Sequence, residues 1–190
     1  MRHGLTNENK AQIYIGHNDP PLNIDAIEEI NQIQPYVAVP DIIYSSDLTR
    51  AEETAKTLFP NSKIHILSQL RERHFGSLQG KSRSLVQGLN LYSKESDELN
   101  QDYYGVESFS SIKSRVNYVL NVIKESEANR ILILSHGAFL SYFVNILLSE
   151  DFIMHPLKNL HYHKIVLDDQ GNVVEVKFNQ NWLLKEKDQN

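Results

Sequence analysis

Residues 130–148 read RILILSHGAFLSYFVNILL. The unbroken apolar run Ile131 to Leu134 predicts a strand covered on both faces, the most apolar strand in the chain. It ends at a histidine and a glycine, His136 and Gly137. Residues 138–148 then stay apolar nearly all round, which predicts a buried helix. A buried strand leading directly into a buried helix is the repeating unit of a parallel sheet. In such sheets ligands gather outside the carboxyl ends of the strands, where His136 and Gly137 stand.

The pattern recurs on both sides of this unit. DIIYSS (41–46) predicts a strand ending in polar residues, and DLTRAEETAKTLF (47–59) a helix with Leu48, Ala51, Ala55 and Leu58 on one face. KIHIL (63–67) predicts another strand. From Ser108 a long helix carries Ile112, Val116, Val119, Leu120 and Ile123 at helical spacing. LHYHKIVL (160–167), DDQGN and VVEVKF (173–178) predict a terminal hairpin. The alternation predicts an α/β chain, a three-layer α/β/α sandwich around a mostly parallel sheet. Residues 1–190 read as one domain. Residues 81–105, polar and weakly periodic, read as an excursion over one end of the sheet, where lids and specificity loops sit.

Composition excludes several function classes. With 24 acidic against 19 basic residues there is no electrostatic footprint for nucleic acid, and no nucleic-acid partner is expected. Cysteine is absent, which rules out disulfides, thiolate metal sites and a cysteine nucleophile. No signal-like start and no run of membrane-spanning length occur, so a cytoplasmic chain without a membrane partner is expected.

The strand-end rule selects Arg50 after IIYSS, the LRERHFG segment (70–76) after KIHIL, and His136. Joined by Arg2 and His3, they offer two histidines, two arginines and, in an arginine-rich setting, the carboxylate of Glu72. Converging cations ask for an anion, and arginine's paired N–H donors match phosphate oxygens. A neutral imidazole kept unprotonated by nearby cations can attack phosphorus, and a carboxyl group can serve the leaving alkoxide. The set reads as phosphoryl-transfer machinery that requires neither metal nor cofactor.

These stretches carry a family resemblance. RHGLTNEN (2–9) resembles the R-H-G-x-T-x-x-N signature of the histidine phosphatase superfamily, in the branch similar to cofactor-dependent phosphoglycerate mutase. GHNDPPLN, YSSDLTRAEETA, LRERHFGSLQG, VES and SHG follow in family order. The resemblance implies the phosphoglycerate mutase-like fold, with His3 as the nucleophile that becomes phosphorylated. It implies Glu72 as acid and then base, and Arg2, Arg50, His136 and Asn9 as phosphate ligands. Ile15, Gly16, His74, Gly137 and Ala138 are candidates for the substrate pocket. A small phosphorylated metabolite is the expected partner, its identity and the oligomeric state being open.

Taken singly, Arg50 would read as a surface arginine, His136 as a structural histidine and Glu72 as a solvated carboxylate; the surrounding motifs favour function. His161 and His163 form an H-x-H pair at strand spacing that lacks a third ligand, and read as packed hairpin residues. The chain also departs from the family. Ile15 stands where relatives often carry a hydroxyl or amide, Leu5 where most carry an acid, and Ala138 where mutases have asparagine. The excursion supplies Lys81, Arg83 and Lys94 but no adjacent arginine pair. Hydrolysis of small phosphomonoesters is therefore expected ahead of phosphoglycerate mutase activity.

Only Met1 precedes Arg2, whereas relatives carry a whole apolar strand there. The first sheet strand is thus expected to be missing, leaving His3 on a mobile terminus and a ladder edge exposed. An upstream reading frame is the favoured explanation, and an inactive phosphate-binding relative the rival one.

Overall fold

The computed structural model describes residues 1–86, 88–93, 96–149 and 153–184; Lys94 lies outside them. A parallel sheet forms from β1 (Ile42–Ser45), β2 (Ile64–Ile66) and β3 (Ile131–Leu134), in the order β2-β1-β3. Alternation along each strand sends successive side chains to opposite faces. On β1, Ile43 joins a core with Ala26 and Ile30 of α2 (Ile24–Ile33) and Ala51 and Ala55 of α3 (Thr49–Leu58). Its neighbour Tyr44 joins a second core with Ile112 and Val116 of α5 (Phe109–Lys124) and Phe139 and Tyr142 of α6 (Gly137–Leu148). The three layers follow directly from that alternation.

Each anticipated element is present. Ser108 caps α5 by accepting from Ser111 N at 3.1 Å, and Ala138–Asn145 of α6 are buried without interruption. The polar residues of α6 are satisfied locally, as burial demands. Asn145 bonds Ile153 through both its carbonyl and its amide, and Ser141 donates to His155 O. β4 (Tyr162–Leu167) and β5 (Val173–Gln180) make the antiparallel hairpin. Among the described residues no helix is long and apolar enough to cross a membrane.

The start of the chain corrects an expectation. Residues 1–3 do not hang free: Arg2 forms a parallel bridge with Ser135, Ser135 N donates to Met1 O at 3.0 Å, and His3 N donates to Ser135 O at 3.0 Å. On the other side Arg2 N donates to His161 O at 3.0 Å and Leu160 N to Arg2 O at 3.1 Å. This short stub welds the parallel sheet to the hairpin segment. It reaches only the carboxyl end of β3, so Leu134 is fully buried while Ile131, Leu132 and Ile133 stay half-buried. The Met1 amino group donates to Ile133 O at 2.7 Å, so the ladder edge that the sequence predicts as exposed is covered from Ile133 onward.

The excursion is also more ordered than its polarity suggests, with a 3-10 turn at Arg83–Val86 and the helix α4 (Asp97–Tyr104). Arg73, fully buried, holds it down. Its guanidinium donates to Leu91 O, to Asp97 Oδ1 at 3.1 Å, to Tyr142 Oη at 2.8 Å and to Glu107 O at 2.8 Å, against the rings of Phe109 and Tyr142. Gly76 completes the joint. It adopts φ +53°, and a Cβ there would lie 1.8 Å from Tyr104 O. Gly76→Ala therefore combines a left-handed strain with a backbone clash, and should cost about 2–4 kcal/mol. Urea unfolding measures that cost; a change below about 0.5 kcal/mol, the range of neutral surface substitutions, would show that the joint yields freely.

Candidate active site

The carboxyl ends of β1 and β3 and the stub at residues 1–3 open onto a cavity of about 370 Å³. Its floor holds His3, Arg2 and Arg50, with Glu72 and Asn9 on its walls. Ile15, Gly16, Gly137 and Ala138 line it as anticipated. His136 lies behind this surface, fully buried, its ring centre 5.0 Å from that of His3. Of the candidates for the pocket, His74 takes a structural place instead. His74 does not line the cavity: its Nδ1 accepts from Gly76 N at 3.0 Å and its ring packs edge-on against His17, so it braces the turn at Gly76.

His3 is buried and held in one tautomer. Its Nδ1 lies 2.6 Å from Gly4 O, a carbonyl that can only accept, so Nδ1 carries the hydrogen and Nε2 presents its lone pair. Burial first, then the guanidinium groups of Arg50 and Arg2, push its pKa well below the ordinary histidine range. Arg50 Nε donates to that lone pair at 3.3 Å.

Arg50 is built into the chain around it. Its NH1 and NH2 donate at 2.9 Å to the carbonyls of Asn18 and Gly16, which fixes the loop that carries Ile15. Gly16 needs its φ of +56° and has no room for a Cβ, which would lie 2.1 Å from Gln79 Oε1. Burial lowers the pKa of Arg50 to about 10, still cationic at neutral pH. Arg2 donates NH1 to Leu157 O at 2.8 Å, while its Nε is buried with no partner among the described residues. The Oδ1 of Asn9 accepts from Thr6 N at 3.3 Å in a capping box on α1 (Asn7–Lys10). Its amide end is the part left to meet a ligand.

Glu72 closes the opposite wall at the N-terminus of α6. Oε1 accepts from Arg73 N and Phe139 N, both at 2.9 Å, and Oε2 from Ala138 N at 3.2 Å. The arginines beside it in sequence do not face the carboxylate. Arg71 pairs with Asp47 through two bonds of 2.7 and 2.8 Å, and Arg73 turns into the core. What steadies the Glu72 backbone is Arg115 on α5, which donates to the carbonyls of Gln69, Arg71 and Glu72 and is itself paired with Glu107.

Arg115 carried no motif and was missed, as was Asn159. The amide of Asn159 donates to His3 O at 2.9 Å, to Gly4 O at 3.2 Å and to Asn9 Oδ1 at 3.4 Å, so one side chain ties the His3 turn to Asn9. Leu5 has a plain structural reason: it packs against the core on the α2 and α3 face. His163 packs against Phe178 and His155 rather than pairing with His161. Among the described residues no group of three or more His, Asp or Glu side chains could hold a metal ion.

Comparison with known proteins gives the family and the fold. A family model described as histidine phosphatase superfamily (branch 1) matches residues 1–180. A metal-independent phosphoserine phosphatase of Arabidopsis thaliana is 30% identical over 162 residues, covering 74% of this chain. The match spans only 63% of that plant protein's length. An adenosylcobalamin/alpha-ribazole phosphatase of Salmonella typhimurium is 27% identical, covering 78% of each chain. A crystal structure of phosphoserine phosphatase from Entamoeba histolytica in complex with 3-phosphoglyceric acid superposes with a TM-score of 0.79 at 25% identity. It covers 95% of this chain and 94% of that one.

The buried histidines make stability depend on pH. Burial lowers the pKa of His3 and His136 well below the ordinary value of 6.5 and that of His163 to about 4. Below pH 6.5 the unfolded chain takes up protons that the native state refuses, so stability falls as the solution is acidified. Between pH 7 and 5.5 the buried rings of His3 and His136 should each cost about 1.3 kcal/mol, and the partly exposed His163 less. Urea midpoints at the two pH values measure the loss, and equal midpoints would mean that these rings are charged in the native state.

Proposed function

The chain belongs to the histidine phosphatase superfamily (branch 1), and on that premise we propose that it is a metal-independent phosphatase acting on small phosphomonoesters through a phosphohistidine at His3. The observation that carries the reading is the state of His3. Its ring is buried and neutral, its Nδ1 hydrogen is committed to Gly4 O, and its Nε2 lone pair, on the cavity floor, accepts from Arg50 Nε, a donor that an arriving phosphoryl oxygen takes over.

In the first step Nε2 of His3 attacks phosphorus as the ester P–O bond breaks, and the leaving oxygen takes a proton from the Glu72 carboxyl. Oε2, with one long bond to Ala138 N, is the oxygen suited to carry that proton. Arg2, Arg50 and His136 meet the charge on the phosphoryl oxygens, where transition-state stabilisation is largest. In the second step Glu72 takes a proton from water, the water oxygen attacks phosphorus, and the P–N bond breaks. Inorganic phosphate leaves and His3 is restored with its lone pair.

The rival reading is a mutase, which would return the phosphoryl group to a second acceptor. Arg83, which lines the cavity, and the mutase-like string ERHFGSLQG favour it. Against it stands Ala138, whose side chain offers no hydrogen bond and whose amide is already bonded to Glu72.

The test is hydrolysis of p-nitrophenyl phosphate by the wild-type chain and by His3→Ala. Wild type should release phosphate and, quenched rapidly, carry an acid-labile phosphoryl label, whereas the variant should lose turnover by at least about a thousandfold. Retained turnover in His3→Ala would overturn the mechanism. Isomerisation of phosphoglycerate without phosphate release would favour the mutase.

A further inference from the structure

We infer that Ser46 is a positioning residue: its hydroxyl donates to His136 Nε2 and so fixes the ring in the tautomer that offers an Nδ1–H to the phosphoryl group. The inference rests on the cavity being the phosphoryl site, but its first readout does not require turnover.

Ser46 is fully buried at the carboxyl end of β1, and its Oγ lies 2.9 Å from His136 Nε2. The same oxygen accepts from Leu48 N at 3.2 Å. A backbone N–H can only donate, so that bond uses an oxygen lone pair and leaves the hydroxyl hydrogen to be placed. Among the described residues the one acceptor within its reach is His136 Nε2. Were Nε2 to carry the ring hydrogen, two hydrogens would meet and the buried hydroxyl would have no acceptor. The ring hydrogen is therefore on Nδ1.

The other nitrogen makes the assignment matter. His136 Nδ1 is buried and has no partner among the described residues, within a cluster that holds His3, Arg2 and Arg50. A hydrogen there is a donor awaiting an anion; a bare lone pair there would repel the phosphoryl oxygens. A charged imidazole would donate from both nitrogens and make Ser46 irrelevant, but burial and the neighbouring cations keep this ring neutral. Its single N–H must then be directed, and Ser46 directs it. The two histidines are set in opposite senses: Gly4 O takes the hydrogen of His3 so that a lone pair is presented, and Ser46 covers the lone pair of His136 so that a hydrogen is presented.

The experiment is nitrogen-15 NMR of histidine-labelled protein at neutral pH, with His136 assigned by the signals lost in His136→Gln. The wild-type ring should show a pyrrole-like Nδ1 and a pyridine-like Nε2. The reverse pattern, or a doubly protonated ring, overturns the inference whatever the variants do. In Ser46→Ala the ring should leave the pure Nδ1–H state, and kcat toward p-nitrophenyl phosphate should fall by about tenfold, one hydrogen bond's worth, with KM changing far less. Ser46→Thr keeps the hydroxyl and should keep the wild-type tautomer. A folded Ser46→Ala that retains both the tautomer and the wild-type kcat would reduce Ser46 to a cap for Leu48 N and overturn the role. If wild type shows the expected tautomer yet never hydrolyses a phosphomonoester, the tautomer stands and the proposed function is what fails.

Discussion

A few ladder hydrogen bonds at the start of the chain govern everything the site can do. Arg2 and His3 sit between Ser135 on one side and Leu160 and His161 on the other, so the peptide carrying the proposed nucleophile is clamped by two different parts of the fold. A mispositioning of about 1 Å can cost a hundredfold in rate, which is why so short a stub is clamped from both sides. Asn159 adds a third restraint by gathering the carbonyls of His3 and Gly4. The ring of His3 inherits its position from these contacts, and His136 follows because it is the next residue after Ser135.

Burial and charge push the two histidines in the same direction. In many sites a cation and burial oppose each other at an acidic group, but an imidazole loses its proton to both. Packing His3 and His136 beside Arg2 and Arg50 therefore keeps both rings neutral and the arginines charged. That division is what a phosphoryl site needs: lone pair and donors from the rings, charge from the guanidinium groups. The arrangement costs acid stability, since the same rings resist protonation only while folded.

Layers and helices were legible because they are written in periodicity. The apolar run at Ile131–Leu134, the spacing of Ile112, Val116 and Val119, and the all-round apolarity after Gly137 each match one element of the fold. The cavity residues were legible for a different reason: Arg2, His3, Arg50 and Glu72 occupy strand ends within motif strings of the family. The unread features depend on tertiary partners. α4 is short and polar, and its docking depends on Arg73, Asp97 and the closeness of Gly76 to Tyr104, none of which leaves a periodic trace. The motif around His74 puts it near the site but does not say which way its ring turns, so pocket and structural roles both stayed open in the sequence.

The N-terminus of α6 explains why the site relies on side-chain cations. Helix N-termini are ready-made anion sites, and the amides of Ala138 and Phe139 would ordinarily be available to a phosphate. Here they are bonded to the carboxylate of Glu72, together with the amide of Arg73. The helix thereby positions the proposed acid–base group and gives up its own hold on the ligand. In the proposed reaction, charge on a bound phosphoryl group is then left to Arg2 and Arg50, with His136 donating from the N-cap position of the same helix. The proposed nucleophile, acid and charge clamp thus gather around the N-terminus of α6, and the proposed tautomer of His136 depends on Ser46, a serine just past the end of β1.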